Sequence, residues 1–165
     1  MSHRLRRFVL TAHVTSSVGW LGAVLAYLVL VVTGLKGQDA QLVRAAYLCL
    51  ELIGWYVIVP CSLVALATGL LQSLGTDWGL FRYYWVITKL GLTLFGTTIL
   101  LMHMRSVSQM AGIAAATTLA PTDHVEMRKH LVVHAAGGLL ILLTATVLSV
   151  YKPWGKTPYG KKKQA

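Results

Sequence analysis

Four apolar stretches dominate this chain, and each is long enough to cross a bilayer, so its backbone must satisfy itself within helices. The third, Tyr83 to Met104, reads YYWVITKLGLTLFGTTILLMHM. It carries Lys89 near one end and His103 near the other. Fourteen positions are close to four helical turns, so both fall on nearly one face, roughly 21 Å apart. Gly96 lies midway along the same stripe. Ionisable groups are expensive in lipid, which predicts that this stripe faces a bundle interior.

The other stretches span residues 8–35, 43–74 and 131–151. A basic start, SHRLRR, precedes the first. Its 28 or so apolar residues are too long for a signal-peptide core, which predicts a retained transmembrane helix. The second contains Glu51 and Pro60, and proline predicts a kink there. The third is expected to end near Met104, with a short surface helix over SQMAGIAAATTLA. Thr122 or Asp123 is expected to cap the next helix, with Glu126 three residues after Asp123. A polar, Pro/Gly-rich, basic tail (153–165) follows and is expected to be only partly ordered.

Only 12% of the residues are charged, yet the net charge is +10. The charge lies mostly outside the apolar stretches and no nucleic-acid-binding motif is present, so anionic lipid explains it better than nucleic acid. Cys49 and Cys61 lie within one stretch and read as small buried hydrophobes. The sequence thus predicts an all-α integral membrane protein, an up-down-up-down four-helix bundle in one domain (1–152) with a basic tail. Arg4, Arg6, Arg7, Arg82 and the tail lysines Lys152, Lys156, Lys161, Lys162 and Lys163 fall on one side. Lys36, Arg44, Arg105, Arg128 and Lys129 fall on the other. The excess places both termini in the cytoplasm.

This topology sorts the intramembrane polar groups into two layers. The inner layer is His13 and Lys89. The outer layer is Glu51, His103 at the end of the third span, and His134, with His130 one turn above. Trp20 shares a face with His13, and Gly137 and Gly138 follow His134 at i+3 and i+4. Small residues permit close helix approach, or leave room for the flat face of a porphyrin. Histidines from facing helices at one level can ligate a haem iron axially. His103 and His134 form the candidate outer pair. His13 is the candidate inner ligand, with Lys89 as a second ligand, propionate partner or proton-transfer group. Without CxxCH, such a haem is b-type and non-covalent. Met102, His103 and Met104 are an alternative copper set, since thioether and imidazole suit copper(I). The two methionines share a direction only if the helix ends at His103. In a third reading these polar groups only fix helix packing in a structural membrane subunit.

The stretch HVTSSVGWLG, His13 to Gly22, and the stretch WVITKLGL, Trp85 to Leu92, carry a resemblance. They resemble the first- and third-helix signatures of small four-helix bacterial membrane proteins. Among these are the J-type membrane protoporphyrinogen oxidase and copper-resistance D-type membrane domains. The closing HAAGGLL and SVYKPWGKTPYG look like the C-terminal end of a bacterial membrane family of unknown function in that neighbourhood. The resemblance implies a b-type haem and places the oxidase's functional positions at His13 and Lys89. His134 and the outer layer fall outside that signature. The expectation is a multi-pass protein of the bacterial inner membrane that binds haem b. It would transfer electrons to a membrane redox partner, or oxidise a lipophilic substrate. Lys89 is its candidate catalytic residue, and His13, Trp20, Gly96, His103 and His134 are its candidate cofactor residues.

Overall fold

The computed structural model describes residues 1–76, 79–117 and 123–162. Helix α1 spans His3–Lys36. Helix α2, Ala40–Ile53, runs through a π-helical turn, Gly54–Ile58, directly into α3, Val59–Gly75. Helix α4 spans Tyr84–Ala116, α5 spans Val125–Tyr151, and a short α6 spans Pro158–Lys162. Counting α2 and α3 as one span, four helices among the described residues are long and apolar enough to cross a membrane, as a multi-pass membrane protein requires. Their outward surfaces are apolar: Phe8, Tyr56, Leu74, Met102, Val133 and Val150 are all highly exposed. Such a surface suits hydrocarbon and is a liability in water.

Helix α1 buries one stripe, Val9, Ser16, Trp20, Val24, Tyr27, Val31 and Gly34, at intervals of three, four and seven residues. That stripe packs antiparallel along the whole second span. Gly34 meets Tyr47, Gly19 meets Cys61, His13 meets Gly69, and the Gln72 amide donates to the Val9 carbonyl at 3.4 Å. The second span also packs on α4, where Gly54 lies against Met104 and the Trp55 indole donates to Ser108 Oγ at 3.1 Å. Helix α5 closes the ring by packing on both α4 and α1. Each span therefore packs on its sequence neighbour, and the fourth packs on the first.

Three expectations gain detail. Ahead of Pro60 the second span widens into a π-turn, Gly54–Ile58. Proline lacks the N–H for a regular helical bond, and widening the preceding turn moves the disruption to Gly54–Ile58. The Val59 N–H accordingly reaches the Gly54 carbonyl, five residues back. Second, α4 does not stop at Met104. Val107, Met110, Ala111 and Ala114 continue its buried stripe, so the expected surface helix is its last three turns. Residues 118–120 of that stretch lie outside the described residues. Third, α5 begins at Val125 after His124 in a left-handed conformation (φ 52°), with no side-chain cap from that residue. Thr122 lies outside the described residues, and Glu126 pairs with Lys129 at 2.9 Å.

Two cations make contacts between spans. Arg128 is 1% exposed, and its guanidinium carbon lies 5.8 Å from the Tyr47 ring centroid, a cation–π geometry. Arg44 donates to the Ala115 carbonyl at 3.0 Å, satisfying the last turn of α4 where the helix dipole favours a cation. The tail is ordered through residue 162, while Lys163 lies outside the described residues. Thr157 is buried and donates through Oγ1 to the Phe81 carbonyl at 2.6 Å and through N–H to the Arg82 carbonyl at 2.9 Å.

At Gly34 an added Cβ would lie 2.6 Å from the Tyr47 ring, which is buried and cannot yield. Gly34→Val is therefore expected to destabilise the protein by about 1–3 kcal/mol through overpacking. Gly22→Val, where nothing lies within 4 Å, is expected to have little effect. Thermal unfolding in detergent measures the difference.

Candidate functional site

Where α1, α4 and α5 meet, packing is incomplete. A cavity of about 230 Å³ is lined by Trp20, Val24 and Tyr27 of α1, Ile58 of the π-turn, Phe95 to His103 of α4, and Val133 to Leu142 of α5. Four sequence-predicted residues, Trp20, Gly96, His103 and His134, come together here. Gly96 packs against Ile141, where an added Cβ would make ordinary contact at 3.4 Å. Gly137 and Gly138 have nothing within 4 Å of an added Cβ, so they form a flat, open shelf. The mouth faces the apolar surface, where Phe95 (58% exposed) and Val133 (68%) border it. We describe it as a lateral cleft.

Two imidazoles close one end. The His103 and His134 rings stack with centroids 4.4 Å apart and planes 11° from parallel. His130 continues outward from His134, centroid to centroid 6.3 Å. His134 Nδ1 is 2.7 Å from the His130 carbonyl oxygen. A carbonyl only accepts, so Nδ1 carries the proton and Nε2 is left as an acceptor, the tautomer a metal-binding imidazole uses. His103 Nε2 is buried without a hydrogen-bond partner among the described residues. His103 also sits about two-thirds along a continuous helix, not at its outer end, because α4 runs on to Ala116.

The stacked rings lie face to face, not on opposite sides of a plane that a porphyrin would occupy. Axial ligation of one iron by both would require the stack to open. The Met-His-Met set is not gathered either: Met104 is fully buried toward Gly54, whereas Met102 is 70% exposed. With the helix continuous past His103, the two thioethers leave α4 on different faces. Among the described residues no three His, Cys, Asp or Glu side chains form a metal-holding group.

His13 and Lys89 form a separate layer toward the end of the bundle that carries the termini. His13 Nδ1 lies 3.0 Å from the Ala65 carbonyl and 3.1 Å from Thr68 Oγ1, so it donates to α3. Lys89, half-buried on α4, is within electrostatic reach of His13. Neither lines the cleft. Glu51 is half-buried and does not line the cleft.

Tyr27 was not among the sequence candidates. It is 4% exposed, lines the cleft, and its hydroxyl has no partner among the described residues. Its ring edge and Met104 both approach Gly54, which sets Tyr27 at the level of His103. The signal was present, since Tyr27 is seven residues after Trp20 and so on the same helical face.

No protein-family model, curated protein or solved structure matches the chain.

A buried hydroxyl without a partner costs stability in the ligand-free protein. Tyr27→Phe is therefore expected to be neutral or to stabilise by about 1 kcal/mol. A loss of more than that on unfolding in detergent would show that the hydroxyl is bonded.

Proposed function

We propose that this chain is a multi-pass membrane protein that takes a flat lipophilic ligand from the bilayer into the cleft between α4 and α5 and holds it against His103. The observation that carries this reading is the meeting of an open glycine shelf with a buried, unpartnered imidazole nitrogen at the head of an apolar cleft. Ligand sites are mostly apolar with a few placed polar groups, and this cleft has that composition. Gly137 and Gly138 both line the cleft and an added Cβ at either meets nothing within 4 Å, which leaves room there for a ligand. The Lys and Arg distribution supports termini on the cytoplasmic face. The resemblance of the first- and third-helix stretches supports a bacterial inner membrane and a redox role.

Trp20 lines the cleft and reports on it. In proteoliposomes, a flat aromatic quencher or haem is expected to quench tryptophan fluorescence, and the Trp20→Phe variant is expected to lack that component. Gly138→Leu fills open space, so it is expected to fold with a stability change within about 0.5 kcal/mol while binding falls at least tenfold. Equal quenching in wild type and Gly138→Leu for every flat probe would sink the reading. A haem complex would be recognised separately by b-type absorption bands that depend on His134.

A further inference from the structure

We infer that the ligand of this cleft is a lipid-soluble quinone or its quinol, bound by its ring oxygens to Tyr27 and His103. The inference rests on the reading of the cleft as a lipophilic-ligand site and names the class that the site takes.

Three observations select that class. The first is size. A cavity of about 230 Å³ falls below the roughly 300–1,000 Å³ of pockets that enclose drug-sized ligands. It suits a one- or two-ring head more than a macrocycle. The second is polarity. Of the lining residues only Trp20, Tyr27, His103 and His134 carry polar side-chain atoms, and none is a Lys or Arg to pair with a carboxylate. Fatty acids and the propionates of a haem lack a partner inside the cleft, whereas an uncharged ring oxygen needs only a hydrogen bond.

The third is the pair of buried polar atoms without partners. Tyr27 Oη and His103 Nε2 both belong to residues of the lining and lie at one level. Buried polar groups are normally satisfied, so two at one cleft call for an occupant that satisfies both. The Tyr27 hydroxyl donates to a quinone carbonyl or accepts from a quinol. His103 Nε2 accepts a quinol hydroxyl in one imidazole tautomer and donates to a carbonyl in the other. A flat ring rests on the Gly137–Gly138 shelf, and a hydrocarbon tail leaves through the mouth past Phe95 into lipid.

The test uses the full chain in proteoliposomes, with 2-methyl-1,4-naphthoquinone as the quinone probe and 2-methylnaphthalene as its oxygen-free counterpart. Quenching of the Trp20 component by the quinone is expected to weaken about tenfold in Tyr27→Phe and in His103→Phe. At equal membrane concentration, 2-methylnaphthalene is expected not to displace the quinone from wild type. Equal displacement by the hydrocarbon, or quinone affinity unchanged in Tyr27→Phe, would overturn the inference and leave the cleft reading in place. Haem binding lost in His134→Ala, without any quinone quenching, would also overturn it. Should His103→Phe fail to fold, the Tyr27→Phe result and the displacement result decide.

Discussion

Backbone hydrogen bonding is the constraint on which the rest of this structure depends. In hydrocarbon no water would rescue an unpaired N–H or C=O, and each candidate span is a helix along its whole length. Even the proline obeys this. Pro60 cannot donate, and the chain answers with a wider turn that keeps the helix going instead of breaking it. Helices of this kind gain little from hiding apolar surface from lipid, so their association depends on close contact. The seam between α1 and the second span shows it, with Gly34 under the Tyr47 ring and Gly19 against Cys61.

Against that close seam, the α4–α5 face stands out for what it does not fill. Gly137 and Gly138 touch nothing, and the imidazoles at the head of the gap stack on each other while one nitrogen goes unpaired. Elsewhere several polar groups serve the fold, although the buried Tyr47 and Thr97 hydroxyls also lack hydrogen-bond partners among the described residues. Arg128 covers Tyr47, Arg44 ends α4, and His13 ties α1 to α3. Polar atoms that cost stability without a structural return are expected where a ligand completes them. Tyr27 and His103 meet that description.

Much of the architecture was legible because its cause is local. Span number follows from apolar run length, and the inward stripe of α1 follows from the 3.6-residue period. That His103 and His134 share one level was legible too, although the position of His103 along its helix was not, since α4 runs on to Ala116. Boundaries were harder to read. Polar Arg105 and Ser106 looked like a connection, and Ser108 and Gln109 like the start of a separate surface helix, because the buried stripe beside them needs α2 as a partner to be recognised. The burial of Arg128 was not legible for the same reason: only Tyr47, far away in sequence, gives its guanidinium a buried place.

The sequence by itself determined that four helices form, which of their faces carry polar groups, and roughly how deep each group lies. These follow from hydrophobicity and helical periodicity, which act along one segment. Tertiary structure alone decided that His103 and His134 stack instead of facing across a plane, and that Met102 and Met104 diverge. It also decided that Tyr27 joins the cleft, and that His13 and Lys89 belong elsewhere. Those outcomes depend on the rotation of each helix about its axis and on side-chain contacts between spans. No single segment encodes either, because they are set by which small residues let two backbones approach.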